Sequence, residues 1–321
     1  MLIMKVITKL FTAAAVATGL VGAAGYGLFR GIMHRDSTLP DKVGGLFDKR
    51  DESQPVLNVE EDPRAVWFAE QSLESFTMVN NRGQKLRAHL LKAAEPSDVY
   101  VFCNHGYRNH GRGEFNLMAK FYHDKGYNVF MVDHQAAGES EGTYWGFSYY
   151  ESRDGIQWLD FMKKNFGEDI QIILHGISIG GATVMLMSGN ENLPDNVKFT
   201  VADCGFTSAW DEFAHNCKNA HVPTFPLLNA ANFFNKHIAG FDLKDTNTKQ
   251  AVAKAKVPML FIHGGKDDFV PTTMSSQAFA YCGSAHKEFY IAPTAAHAEC
   301  YPFHSEEYEA RVSAFADKYI V

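Results

Sequence analysis

Residues 170–189 read IQIILHGISIGGATVMLMSG. The opening residues form a near-continuous apolar run, the pattern of a strand buried on both faces. The closing residues suit a helix. Between them stands Gly176-Ile177-Ser178-Ile179-Gly180, a G-x-S-x-G pentapeptide. A strand that turns at once into a helix strains the backbone at the turning residue. Small flanking residues let strand, turn and helix come close together. The Ser178 hydroxyl is then delivered to the C-terminal edge of a sheet, at the start of a helix. At average glycine and serine usage the pentapeptide alone recurs by chance in about one protein in ten. The strand before it and the helix after it are therefore what carry the reading. Gly138-Glu139-Ser140-Glu141-Gly142 has the same spelling, but it lies in a Glu-rich loop with no strand directly before it, and Ser140 reads as structural.

Working outward, five more short apolar runs have the same character: 98–106, 127–134, 197–205, 257–265 and 287–293. Helical patterns at 114–125, 148–165, 179–189, 273–282 and 305–319 alternate with them. The stretches SFTMVN and RAHLLKA around the turn-like NNRGQ read as an antiparallel hairpin ahead of the series. The expected fold class is α/β, with a mostly parallel central sheet flanked by helices. Residues 206–255 form the longest interval between strands and are rich in phenylalanine, so a small helical lid is expected there.

A serine hydroxyl is a weak nucleophile until a base removes its proton, and that base is usually a histidine oriented by a carboxylate. His297, in the loop between the last strand and the last helix, lies at the same sheet edge as Ser178 and is the preferred base. His105 and His134 also end strands and are weaker choices. For the carboxylate, Asp267 in HGGKDDFVP is preferred, with Asp268 and Asp203 as alternatives. The chain order Ser178, Asp267, His297 is the Ser–Asp–His order of α/β-hydrolases. Charge developing on a carbonyl oxygen needs fixed N–H donors. The backbone N–H groups of Ile179 and of Tyr107, in the loop after the first parallel strand, are assigned that role. Arg108, Asn109 and His110 either face the substrate or satisfy the loop.

With these pieces together, the chain from about residue 72 onward resembles the α/β-hydrolase superfamily. HGY, GISIG, HGGKDDFVP and AAHAECY occur in the superfamily's order. The resemblance is to single-domain bacterial hydrolases of serine aminopeptidase-like or Bem type, and Ser178, Asp267 and His297 match their triad positions. Many relatives carry an Arg-Gly-His-Gly-like stretch where this chain has Asp133–Gly142, which weakens any carry-over of pocket chemistry. The implied activity is cleavage of carboxylic esters through an acyl-enzyme on Ser178, with no metal and no organic cofactor. The alternatives are acyl transfer, amide or peptide cleavage on the same triad, and a non-catalytic surface binding protein. Tyr144, Trp145 and Phe147 favour an uncharged acyl group, although core packing explains them at least as well.

The chain has 321 residues, with 30 basic and 37 acidic side chains and a net charge of −7. That balance gives no support to a nucleic-acid partner. The five cysteines, Cys103, Cys204, Cys217, Cys282 and Cys300, have no metal-ligand spacing and read as buried thiols. Residues 10–29 carry no charge, follow Lys5 and Lys9, and at 1.5 Å per residue are long enough to span about 30 Å. They read as a membrane anchor or an export signal, with the anchor slightly preferred over a cleaved signal and both preferred over a buried helix of the soluble body. The expected organisation is a signal or anchor at 1–35, a polar linker or strap at 36–71 and the hydrolase domain at 72–321. The catalytic domain would be membrane-anchored or secreted, outside the cytoplasm. The oligomeric state is left open.

Overall fold

A computed structural model of the chain describes residues 19–39 and 58–321. Its frame is an eight-stranded sheet made of β1 (Glu74–Val79), β2 (Lys85–Leu91), β3 (Val99–Asn104), β4 (Asn128–Asp133), β5 (Gln171–Ile177), β6 (Val197–Asp203), β7 (Met259–Gly264) and β8 (Lys287–Ala292). The spatial order is β1-β2-β4-β3-β5-β6-β7-β8. The β1–β2 hairpin is antiparallel and β2 runs antiparallel to β4; every other pairing is parallel. Every residue of β3, β4, β5 and β7 is buried, as their unbroken apolar runs require. After β3 the chain steps to one side, to β4, and then returns across to β5. The order thus reverses between β3 and β5. At such a reversal the loops leave in opposite directions and open a crevice at the carboxyl ends of the strands.

Helix α1 occupies the described residues 19–33. It is followed by α2 (Pro63–Ala69), α3 (Gly111–Phe115), α4 (Ala119–Asp124), α5 (Tyr149–Phe166), α6 (Ile179–Ser188), α7 (Ala209–Asn219), α8 (Thr224–Phe234), α9 (Thr248–Val252), α10 (Thr272–Tyr281) and α11 (Cys300–Tyr319). One face of the sheet is covered by α2, α3, α4 and α11, through Phe68, Phe115, Tyr122 and Tyr308 among others. The other face is covered by α5, α6, α9 and α10, together with α1 and the lid helices α7 and α8.

Two expected helices differ from those observed. The helix at 114–125 is two short ones, because Phe115, Leu117, Met118, Ala119 and Tyr122 are all buried. One continuous helix would turn Leu117 about 200° away from Phe115. The last helix begins at Cys300 rather than 305 and kinks at His304. Pro302 falls in its first turn, where no N–H is needed.

Helix α1 is packed into the body. Phe29 and Met33 are buried in the same core as Trp145 and Phe147. The Trp145 backbone N–H donates to Met33 O at 2.8 Å, and the Arg35 backbone N–H to Thr143 O at 3.0 Å. The Arg35 guanidinium adds bonds to Ser140 O at 3.0 Å and Gly142 O at 3.2 Å. A Cβ on Gly25 would stand 2.4 Å from Ala230 Cβ of α8, so a glycine is needed for that approach. Of the apolar run at 10–29, residues 10–18 lie outside the described residues. Among the described residues no helix is long and apolar enough to cross a membrane. In the stretch read as linker or strap, α2 packs on the body through Ala65 and Phe68, whereas 40–57 lies outside the described residues.

Candidate active site

Ser178 is the residue at which β5 becomes α6. Its backbone is left-handed, with φ 58° and ψ −114°, which is costly for a residue with a side chain. Glycines impose the turn. A Cβ on Gly176 would lie 2.0 Å from Gly180 O, and one on Gly180 would lie 1.8 Å from Asn104 O. Neither position has room for any other residue. The same closeness brings β3, β5 and α6 together at the crevice where the strand order reverses.

His297 reaches this point from the loop after β8. Its Nε2 lies 2.8 Å from Ser178 Oγ, and its Nδ1 lies 2.7 Å from Asp267 Oδ2. Asp267 comes from the loop after β7, where its Oδ1 accepts the backbone N–H groups of Phe269 at 3.0 Å and Val270 at 2.8 Å. Those bonds fix the carboxylate, leaving Oδ2 directed at the imidazole. His263, at the end of β7, is a second neighbour, its Nε2 3.1 Å from Asp267 Oδ2. His263 is itself held by Val270 O at 2.8 Å and Ser275 Oγ at 2.7 Å.

The charges in this cluster are coupled. Burial alone would raise the Asp267 pKa, but the His297 and His263 imidazoles outweigh it and hold the carboxyl well below the usual range. Burial would likewise lower His297, but the Asp267 charge and hydrogen bond override it and lift the imidazole to about 9. Such a pair suits a base that must hold a proton transiently while its cation is stabilised.

The loop after β3 closes the other side. A Cβ on Gly106 would be 3.4 Å from Ser178 Cβ, so this loop runs against the serine. Glu114 shapes it, accepting the Gly106 N–H at 2.9 Å and the Asn109 amide at 3.0 Å. Asn109 and His110 serve the loop, His110 by accepting the Gly113 N–H at 3.1 Å as the cap of α3. The Tyr107 ring packs on Trp145 and Phe147, with centroids at 5.2 and 5.1 Å. Tyr107 thus follows Gly106 on this loop, and Ile179 is the first residue of α6, directly after Ser178.

The alternatives have other partners. Asp268 offers its backbone carbonyl to His215 at 2.9 Å. Asp203, at the end of β6, is fully buried, and burial lifts its pKa to about 6. His105 Nε2 accepts the His134 N–H at 3.0 Å, which ties two loops together. The Ser140 hydroxyl donates to Asp133 O at 2.6 Å and accepts the Arg87 N–H at 2.8 Å, a structural role. Cys204, Asp267 and His297 each offer one ligand atom within 4.8 Å of the others. The carboxylate and the ring are already bonded to each other, and burial pushes the Cys204 thiol well above its ordinary value. The set therefore suits a proton relay better than a cation.

Residues 95–229 match the family model described as Serine aminopeptidase, S33. The chain is 26% identical over 276 residues to the uncharacterized protein YqkD of Bacillus subtilis, covering 85% of this chain and 89% of that one. It is 25% identical over 229 residues to protein bem46 of Schizosaccharomyces pombe, covering 70% of this chain and 67% of that one. The Pyrococcus furiosus esterase Pf2001 superposes with a TM-score of 0.65 at 20% identity, covering 80% of this chain and 94% of that one. The fold is that of the α/β-hydrolase superfamily. The monoacylglycerol lipase of Paleococcus ferrophilus is also similar, with a TM-score of 0.54 at 18% identity over 72% of this chain and 98% of that one. The family-model match over residues 95–229 supports a hydrolase, and the solved structures support the fold.

In superfamily terms, three residues near the site carry no sequence signal strong enough to single them out. His263 was visible only as the first letter of HGGKDDFVP. Glu114 and Glu212 are acids on helices, where a solvated face is the ordinary expectation. Glu212, on α7, is nevertheless buried, and burial lifts its pKa to about 8. Its Oε1 accepts the Asn216 amide at 2.5 Å, while its Oε2 has no hydrogen-bond partner among the described residues.

Proposed function

We propose that the chain is a serine hydrolase that cleaves carboxylic esters, with Ser178, His297 and Asp267 as its triad. The observation that carries this reading is the continuous line of hydrogen bonds from Ser178 Oγ through His297 to Asp267, at 2.8 and 2.7 Å. Ser178 Oγ attacks the ester carbonyl as His297 Nε2 takes its proton. The backbone N–H groups of Ile179 and Tyr107 receive the developing oxyanion. His297 returns the proton to the leaving alkoxide, and Asp267 stabilises the imidazolium throughout. A water then attacks the acyl-enzyme by the same route, releasing the acid and restoring the Ser178 hydroxyl. None of these steps calls for a metal or an organic cofactor.

A location at a lipid surface belongs to the same proposal. The lid exposes Phe225, Phe233 and Ile238, and α1, which packs on α8 at Gly25 and Tyr26, exposes Leu20 and Tyr26. Exposed apolar side chains on two packed helices favour contact with an interface. A transmembrane span over 10–29 would withdraw Gly25, Leu28 and Phe29 from their packing. The two placements of those residues exclude each other, and the surface-lying one keeps the core intact.

The test is labelling of the full chain with a fluorophosphonate, followed by peptide mapping. A single adduct on Ser178, absent in Ser178→Ala, is expected. Folded protein that takes no label and turns over no short ester would overturn the proposal.

A further inference from the structure

Between α1 and the lid lies an apolar cavity of about 100 Å³, bounded by Leu28, Phe29 and Ile32 of α1 and by Phe213, Cys217 and Leu228 of the lid. Helix α7 is common to this cavity and to the candidate site. On one side of it, the Asn216 amide reaches Phe269 O at 3.3 Å, and the Phe269 ring lies 5.0 Å from that of His297. On the other, Phe213 meets Phe147 at 4.7 Å between centroids, and Phe147 meets Tyr107 at 5.1 Å. The Tyr107 hydroxyl donates to Ile32 O at 2.6 Å. The turn of α1 that lines the cavity therefore also holds the loop that runs against Ser178.

We propose that α1 is a working part of the active site, forming one wall of a pocket for the uncharged acyl chain of the ester and limiting the chain length accepted. This inference rests on the ester-hydrolase reading above. The chemistry of the lining selects the class of ligand. Among the described residues no charged side chain lines the cavity, so a carboxylate or ammonium placed there would lose its water without gaining a partner. Each methylene, by contrast, gains by leaving water. The two polar side chains at the lining, Asn216 and Asn235, have their amide N–H groups committed to neighbouring oxygens. Their Oδ1 atoms are buried and have no hydrogen-bond partner among the described residues.

The experiment compares p-nitrophenyl acetate with p-nitrophenyl octanoate, using the full chain in detergent. Ile32 is only half-buried, so Ile32→Trp fills the cavity from its accessible side; Leu228→Trp fills it from the lid. Each is expected to lower kcat/KM for octanoate about tenfold relative to acetate, while Ile32→Ala moves the preference toward longer chains. Octanamide should raise the melting temperature of the wild type and not that of the tryptophan variants. An unchanged octanoate-to-acetate ratio in both folded tryptophan variants would overturn the inference. If the wild type neither hydrolyses acetate nor takes fluorophosphonate at Ser178, the ester-hydrolase reading fails instead. The octanamide shift then still decides whether α1 walls an acyl pocket.

Discussion

The sheet edge that carries Ser178 and the roof made by α1 and the lid face each other across the candidate site, and they are built by different physics. At the edge, backbone presses on backbone. Asn104 O stands 1.8 Å from where a Gly180 Cβ would be, and Asp267 is fixed by two backbone N–H groups. In the roof, side chain packs on side chain: Tyr26 on Phe234 at 5.3 Å, Phe29 on Tyr144 at 5.3 Å, Phe213 on Phe147 at 4.7 Å. Backbone clashes admit one residue type, whereas apolar packing admits any set of similar volume. The edge should therefore be intolerant in chemistry and in folding, and the roof adjustable in both.

The largest expected effect divides chemistry from folding at the edge itself. Ser178→Ala should reduce kcat/KM for p-nitrophenyl acetate by roughly 10⁴-fold or more. It should leave unfolding free energy within about 1 kcal/mol, since it removes one hydroxyl and no packing. Gly180→Ala should do the reverse and fail to fold, or lose several kcal/mol by denaturant titration, because its methyl has nowhere to go. A Gly180→Ala protein of wild-type stability would mean that the edge is as adjustable as the roof.

This contrast also explains what could be read in the sequence. A residue fixed by steric exclusion leaves a one-letter trace: Gly176, Ser178 and Gly180 spell the turn. The buried strands leave unbroken apolar runs, and each of the six strands read in this way lies within two residues of its expected ends, although β8, at the edge of the sheet, is only partly buried where burial on both faces is expected. Ser178, Asp267 and His297 were legible because their places at strand ends follow from chain order. The docking of α1 was not. LFTAAAVATGLVGAAGYGLF has the same composition whether its apolar face meets lipid or the underside of a lid, and only the partner surface distinguishes them. Glu212 was hidden for a related reason, because a lone acid on a helix reveals nothing of whether that face is solvated.

A smaller effect tests the coupling between the regions. Tyr107→Phe removes the hydrogen bond from the loop after β3 to Ile32 O. A loss of about 1 kcal/mol in stability is expected, with a few-fold fall in kcat. If kcat is unchanged while stability falls, α1 steadies the loop without setting its catalytic geometry.

The pH dependence sharpens the comparison further. In the proposed role of base His297 acts only when neutral, and its pKa is lifted to about 9 by Asp267. The acid limb of kcat/KM should therefore lie above 6.5, the ordinary imidazole value. Asp267→Asn should move that limb down while lowering the plateau by roughly 10⁴-fold. An acid limb that stays in place in Asp267→Asn would remove Asp267 as the cause of the shift.

The smallest effect belongs to Glu212, where roof and edge meet. Its pKa in the folded chain, about 8, is raised above the ordinary carboxyl value by burial. Folding therefore favours the protonated form. The group carries no penalty below its unfolded pKa, and stability is lost progressively as pH rises from there through about 8. Glu212→Gln keeps the Asn216 contact in outline and cannot ionise. Its melting temperature should fall less between pH 5 and pH 9 than that of the wild type. The same substitution removes a negative charge that helps to raise His297, so above pH 8 the variant should reach full activity at a lower pH. If its melting profile and acid limb both match the wild type, Glu212 is not ionising in the folded chain. Glu212 would then stand near His297 as a neutral group, with no charge to contribute.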